Sequence, residues 1–276
     1  MEGVELMKKV LGLSPEHILF IKKHQRENVL VWFFRIAILV FGLGIWELLA
    51  RLQVIDSFIT SSPSKIFLTI ASLVTENNLF YHMGITLYET LLGFFITVVL
   101  GYGVALLLWW SERLRKILEP YIVVLNSLPK IALGPIIIVW CGSGSSAIIF
   151  MAVLIGVIVA IITMMNGFLA TDKNKILLLR SMGANKVQIL TKLIIPGSVP
   201  TLISMLKISV GMAWIGSIMG EYLVSRAGLG YLIVYGGQVF KLDLVMAATV
   251  VLCVLAALMY AMVAMLEKII VKYKPN

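Results

Sequence analysis

Residues 147–170 read AIIFMAVLIGVIVAIITMMNGFLA and contain no charged side chain. A helix of about 20 predominantly apolar residues is long enough to cross the hydrocarbon core of a bilayer. The rest of the 276-residue chain has the same character, because 60% of its residues are hydrophobic and only 13% are charged. A soluble fold could not cover so much apolar surface with so few polar side chains. The sequence therefore predicts an all-α integral membrane protein.

Six segments are long and apolar enough to be membrane spans. The third of them is interrupted by Pro129 and Pro135. Residues 1–28 precede the spans, and we expect amphipathic helices there at the membrane surface, with Ser14 and Pro15 starting the second. A helix that binds a partner protein is the alternative for this region. The spans are predicted at 29–49, 85–110, 118–140, 147–170, 201–221 and 244–266, within a transmembrane domain of residues 29–276.

Basic residues indicate the orientation of these spans. With the N-terminus on the cytoplasmic side, 16 of the 23 lysines and arginines fall in cytoplasmic segments and four fall outside. Because basic residues collect in cytoplasmic loops, both termini are predicted to be cytoplasmic. The net charge of +9 is then explained by membrane topology, and no nucleic-acid partner is expected.

The sequence lacks the motifs of common catalytic sites. Residues 142–146 are rich in glycine but are not followed by a lysine, so the chain is not expected to bind nucleotide phosphates by itself. The three histidines, His17, His24 and His82, are scattered, which argues against a metal site or a histidine-based triad. The simplest interpretation is a conduit or a scaffold that binds no metal or cofactor.

Residues 171–200 form the longest predicted cytoplasmic loop and read TDKNKILLLRSMGANKVQILTKLIIPGSVP. The pattern predicts a helix, a glycine corner, a second helix and a proline stop. Asp172 can cap the first helix, and Gly183 permits a sharp corner. Pro196 is expected to end the second helix. An ordinary solvated loop would need neither this rigidity nor so many apolar residues.

This loop resembles the cytoplasmic EAA loop of ABC-importer permeases, because Gly183 stands 13 residues before Pro196. Leu177, Leu178 and Leu179 occupy the positions of the name-giving Glu-Ala-Ala. Further fragments resemble the nitrate, sulfonate and taurine branch of these permeases. In chain order they lie at 62–65, 82–94, 118–120, 128–135, 140–144, 180–184, 195–200, 211–214, 220–221 and 228–230.

The resemblance implies the fold of type I, MetI-like importer permeases in the bacterial inner membrane. It implies a pathway formed by two permease copies and driven by two cytosolic ATPases that use ATP and magnesium. An external binding protein would deliver a small anionic or polar organic solute, and the chain itself would not be an enzyme. One alternative is a self-sufficient secondary transporter or channel, which only Glu47 and Glu89 inside spans support. The other is a membrane enzyme, for which no catalytic set is visible.

Three groups of residues are expected to carry this function, and an ordinary structural role is the alternative for each. Coupling to the ATPase is expected from Leu179, Arg180, Gly183, Ala184 and Pro196. Pathway or substrate contacts are expected from Asn126, Ser127, Lys130, Trp214, Ser217 and Glu221. Close helix packing is expected at Gly211, Gly216 and Gly220.

Two lysines lie inside predicted spans. Lys130 stands about halfway along the third span, where an ammonium facing lipid costs several kcal/mol. We expect this stretch to line a wet cavity or the dimer interface, where the ammonium would suit an anionic substrate. An internal ion pair or a side chain that reaches the membrane surface is the alternative. Lys207 lies nearer the cytoplasmic end of the fifth span, and its long side chain is expected to reach the membrane surface.

Overall fold

A computed structural model describes residues 15–76 and 78–270, and the regular structure in these ranges is helical. The chain divides into two units, one ending at Ile66 and the other beginning at Phe67. The amphipathic pattern predicted before residue 15 lies outside the described residues.

The first unit is built on helix α1, Pro15–Arg51. This helix begins at the predicted proline and runs without interruption through the first apolar span, so the expected surface helix and the span are one element. The unit also holds α2, Ser57–Thr60, and the start of α3, Pro63–Glu76. The Glu47 carboxylate accepts hydrogen bonds from the Arg51 guanidinium at 2.7 Å and from the hydroxyl of Ser64 at 2.9 Å. These local partners give Glu47 a structural role.

The second unit is a bundle of long apolar helices. Helices α4 (Leu79–Trp110), α7 (Ser145–Leu169) and α11 (Val199–Val224) pack against one another at its centre, and α13 (Leu242–Ile270) packs on α11. Burial of large apolar side chains between these helices fills the core. The largest fully buried ones are Phe168, Leu108, Ile137, Ile148, Met151, Met164, Ile194, Ile203, Met205 and Leu229.

Five described helices are long and apolar enough to cross a membrane, and they coincide with five of the six predicted spans. The third predicted span is broken. Helix α5, Glu112–Ser127, is followed by a 3-10 turn, Lys130–Leu133, and by α6, Gly134–Cys141, and the two halves are bent by 85°. Leu128 is extended with ψ 138°, the conformation that a residue before proline prefers. The proline itself has no N–H to continue the helix.

The bundle has two ends that position the candidate sites. Helix α4 stops at Trp110, and residues 170–198 connect α7 to α11 at this same end, which we call the loop end. The remaining connections between α6 and α7 and between α11 and α13 lie at the opposite end. The short elements are α8 (Lys173–Ser181), α9 (Lys186–Ile189), a π-helical turn (Leu190–Ile194), α10 (Ile195–Gly197) and, at the opposite end, α12 (Leu229–Gln238).

Candidate functional site

The loop at residues 171–200 has a rigid corner built from local interactions. The Asp172 carboxylate caps α8 by accepting a hydrogen bond from the Asn174 N–H at 2.8 Å. Gly183 has a φ of 81°, in the left-handed region, so the chain turns at the residue that was predicted to form the corner. A reciprocal capping box then starts α9, because Asn185 and Gln188 each accept from the other's backbone N–H at 2.8 Å.

The second half of the loop differs from the prediction at Pro196. The helix does not end at Pro196 but continues to Gly197. A π-helical turn precedes the proline, in which the Ile195 N–H bonds to the Leu190 carbonyl instead of following the α-helical pattern. This wider turn accommodates a ring that would collide with the preceding turn of a regular helix. The prediction of a proline stop was therefore wrong in its position.

The loop has one face on the bundle and one face away from it. Leu179 and Ala184 pack against the apolar cluster that contains the fully buried Ile194. On the other face, Leu177 is 66%, Leu178 60% and Met182 73% exposed. The sequence singled out Leu179 and Ala184, but in the structure the exposed apolar surface belongs to Leu177, Leu178 and Met182, which we call the loop apolar patch.

Lys186 links the loop to the C-terminal end of α4. Its amine donates a hydrogen bond to the Trp110 carbonyl and lies 5.0 Å from the centre of the Trp110 ring. A second indole, that of Trp109, is 5.9 Å away. The free carbonyls at a helix C-terminus attract cations, so this lysine is well placed to hold the corner against the bundle. This contact could not be predicted from the sequence, because the partners are 76 residues apart.

The broken third span presents three of the predicted pathway residues. Asn126 and Ser127 are exposed in the chain, and Lys130 is half-buried. The Lys130 amine donates to the Asn126 carbonyl at 3.2 Å, and the Ser127 hydroxyl donates to the Val123 carbonyl at 3.1 Å. The first of these bonds satisfies a carbonyl that the end of α5 leaves without a helical partner. The bend thus gathers a cation and two neutral polar side chains at one exposed corner.

The other three predicted pathway residues lie inside the bundle. Trp214 is 5%, Ser217 0% and Glu221 1% exposed. The Ser217 hydroxyl is 2.7 Å from that of Thr90, and the Glu221 carboxyl contacts that of Glu89. Ser217 and Glu221 thus link α11 to α4, and Trp214 is buried in the bundle, which favours the structural alternative for all three.

Lys207 has a partner that the sequence analysis did not identify. Its amine lies 2.5 Å from the Glu267 carboxylate, so the pair links α11 to α13. The two residues are far apart in the sequence, and Lys207 alone had suggested only a side chain that extends to the membrane surface. The lysine is thus neutralised by an acid.

The N-terminus of α12 is capped by side chains from two other helices. The N–H of Gly228 donates to His82 Nδ1 at 3.0 Å, and that of Leu229 donates to the Thr86 hydroxyl at 2.8 Å. The N–H of Gly230 donates to the Glu221 carboxylate at 2.5 Å. Three consecutive donors that a helix start leaves free are therefore satisfied at the opposite end of the bundle.

This cap gives a stability prediction. Thr86→Val keeps the shape of the side chain but leaves the buried Leu229 N–H without its acceptor, which should cost about 1–3 kcal/mol. Thr97→Val on the same helix is the control, because the buried Thr97 hydroxyl has no hydrogen-bond partner among the described residues. Thermal unfolding in detergent should show a lower midpoint for the first variant and no loss for the second. Equal midpoints would contradict the capping role.

Two of the three predicted packing glycines lie in a close helix contact. A Cβ on Gly220 would approach Ile148 Cα to 2.8 Å, and one on Gly216 would approach Ala152 N to 2.9 Å. Gly211 has no atom within 4 Å of its Cβ position. The close approach of α7 and α11 therefore depends on Gly216 and Gly220.

Known proteins are similar to this chain in sequence. The family of binding-protein-dependent transport system inner membrane components matches residues 97–272. The formylaminopyrimidine transport permease ThiX of Halalkalibacterium halodurans is 30% identical, with 83% of this chain and 91% of that protein covered. The aliphatic sulfonates permease SsuC of Bacillus subtilis is 27% identical with 84% of each covered, and the taurine permease TauC of Escherichia coli is 27% identical with 79% and 81% covered.

Solved ABC transporters have a similar fold. A chain of the inward-facing MetNI methionine transporter aligns with a TM-score of 0.61 at 19% identity, covering 71% of this chain and 99% of that one. A chain of the bacterial alginate transporter, solved with its alginate-bound periplasmic protein, aligns with a TM-score of 0.63 at 15% identity, covering 93% and 96%. The predicted MetI-like permease fold is therefore confirmed. This chain belongs to the family of binding-protein-dependent transport system inner membrane components, the multi-pass inner-membrane permeases of ABC importers.

Proposed function

We propose that two copies of this chain form the translocation pathway of an importer driven by two cytosolic ABC ATPases and loaded by an external binding protein. The observation that carries the proposal is the loop apolar patch. A rigid loop packs on the bundle through one face and exposes Leu177, Leu178 and Met182 on the other. Solvent alone gives no reason for three exposed apolar side chains on a well-packed loop, whereas a docking partner does.

The orientation follows from the distribution of charge. Lys173, Lys175, Arg180, Lys186 and Lys192 all belong to the loop end. Basic residues collect in cytoplasmic loops, so the loop end is cytoplasmic and both termini lie on that side. The loop apolar patch then faces the compartment that supplies ATP. The chain has no nucleotide-binding motif of its own, so ATP and magnesium are bound by the partner, and this chain carries no catalytic site or cofactor.

The cargo is proposed to be a small organic solute, anionic or polar. The relatives named above are described as permeases for sulfonates, taurine and formylaminopyrimidine. The exposed corner of Asn126, Ser127 and Lys130 offers an ammonium, an amide and a hydroxyl, which suit a sulfonate or a related anion. This corner is the candidate pathway surface of the chain.

The role of Lys130 can be tested by removing its charge. Lys130→Met keeps the length and apolar stem of the side chain. The position is half-buried and its amine bonds, among the described residues, only to the Asn126 carbonyl, so the protein should still fold. Uptake of an anionic cargo should fall on the order of tenfold, equivalent to about 1.4 kcal/mol. Lys130→Arg should retain more uptake than Lys130→Met. If both variants transport like the wild type at equal membrane levels, Lys130 does not line the pathway.

Reconstitution tests the division of labour. In liposomes the purified chain should neither bind ATP nor take up cargo, with or without an ion gradient. Uptake should appear when the co-purifying ATPase is added with ATP inside, and the external binding protein should stimulate it further. Gradient-driven uptake by the chain alone would instead establish a secondary transporter.

A further inference from the structure

A charged cavity lies between the loop and the bundle, apart from the candidate pathway. It measures about 380 Å³, and its lining includes Trp109, Glu112, Arg115, Arg180 and Lys186. Three of these residues are basic and one is acidic. Arg180 thus borders this cavity, whereas the loop apolar patch does not.

The basic groups around the cavity are only partly neutralised by the protein, since Glu112 interacts with Arg115 and Lys186 but is itself paired with Lys116. None of the ion pairs within residues 15–76 and 78–270 includes Arg180 or Lys186. Arg115 has only a distant contact of 3.6 Å with Glu119. The one acid in the lining, Glu112, pairs with Lys116 at 2.8 Å. The cavity therefore has an excess of positive charge that an anion would balance.

Its surroundings resemble a membrane interface. Trp109 and Trp110 end a span, the position at which indole side chains mark the boundary between hydrocarbon and headgroups. On α5, Leu114 and Ile117 beside the cavity-lining residues are 38% and 55% exposed. An anionic headgroup could thus enter the cavity while its acyl chains cover these apolar side chains.

We propose that this cavity binds the phosphate group of an anionic phospholipid from the inner leaflet. Basic pockets between helices on the cytoplasmic side are suited to such headgroups. The two arginines provide planar donors for phosphate oxygens, and Lys186 adds a third positive charge while it holds the loop to Trp110. Bound lipid would join α5 to the loop, so the loop would be most rigid in a membrane that contains anionic lipid.

The test measures lipid preference in the full-length chain, purified with any subunits that co-purify. Thermal unfolding is followed with added dioleoylphosphatidylglycerol, with dioleoylphosphatidylcholine and with inorganic phosphate. The wild type should be stabilised by phosphatidylglycerol well beyond the other two. The double substitution Arg115→Gln and Arg180→Gln should lower the apparent affinity for phosphatidylglycerol about 30-fold, since each basic group near the surface contributes roughly a factor of five.

The matched control is Arg113→Gln with Lys175→Gln. It removes the same charge from the same two helices, but neither residue lines the cavity. This control should keep most of the lipid preference, as should Arg115→Lys with Arg180→Lys. If the glutamine pair does not fold, the lysine pair can be measured in its place. The preference of the lysine pair for phosphatidylglycerol should weaken at high salt.

Four results would overturn the proposal. The first is equal stabilisation by phosphatidylglycerol and phosphatidylcholine, and the second is an unchanged lipid preference in the glutamine pair. The third is stabilisation by inorganic phosphate equal to that by phosphatidylglycerol, which would indicate that the cavity binds a soluble anion. The fourth is loss of the co-purifying ATPase from the glutamine pair with lipid preference intact, which would assign the cavity to an acidic side chain of that subunit. The inner-leaflet assignment rests on the orientation proposed above, but none of these readouts requires transport, so failure of lipid binding and failure of the proposed function are distinguishable.

Discussion

Gly216→Ala should lower the unfolding temperature of the purified chain and reduce its level in the membrane. A Cβ at Gly216 would lie 2.9 Å from the backbone nitrogen of Ala152 and 3.1 Å from the carbonyl oxygen of Met151. Both atoms belong to the backbone of α7, so a change of rotamer cannot relieve the overlap and the helices must move apart. Overpacking of this kind costs about 1–3 kcal/mol and occasionally more.

The control for this prediction is Gly211→Ala on the same helix. Among the described residues, its added methyl group would meet no atom of a neighbouring helix within 4 Å, so the fold should be unaffected. The comparison removes any general effect of replacing glycine by alanine in a membrane helix. A Gly216→Ala protein as stable as the Gly211→Ala protein would show that the contact between α7 and α11 is looser than described.

Gly183→Val should reduce both transport and cargo-stimulated ATP hydrolysis without preventing insertion. Gly183 has a φ of 81°, a region that is costly for a side chain branched at Cβ. Beyond its chain neighbours, no atom of the described residues lies within 4 Å of the position where its Cβ would stand, so the effect would come from the backbone alone. A cost of about 1–2 kcal/mol would reduce the population of the native corner roughly tenfold. Uptake and cargo-stimulated ATP hydrolysis should fall together.

Gly183→Asn is the matched control for the corner. Asparagine adopts the left-handed conformation more readily than other residues, so this variant should keep most of its coupling. Both variants should reach the membrane at wild-type levels. Wild-type coupling in the valine variant would mean that the corner does not transmit movement from the ATPase.

Features that depend on neighbouring residues could be predicted from the sequence. Five spans follow from runs of apolar residues, and the Asp172 cap and the Gly183 corner follow from local chemistry. A bend at Leu128 and Pro129 could be suspected from the sequence. Its angle of 85° could not be predicted, because that angle depends on how both halves of the broken span pack. The same holds at Pro196, where a π-helical turn replaces the expected stop.

Features that join distant segments could not be predicted. The cap of α12 joins His82 and Thr86 to Gly228 and Leu229 across more than 140 residues. Lys207 meets Glu267 across 60 residues. Membrane helices are apolar on most faces, so their sequences contain little information about which face meets another helix. Trp214 and Ser217 were for this reason equally compatible with a pathway and with the buried position that they occupy.

Site-specific photo-crosslinking tests the docking of the loop apolar patch most directly. A benzophenone amino acid is placed at Leu178, which is 60% exposed at the loop end, or at Phe240, which is 71% exposed near the opposite end. In membranes that contain the ATPase, the account predicts an ATPase adduct from position 178 and none from position 240. An active transporter that gives no adduct at 178, or equal adducts at both positions, would contradict it.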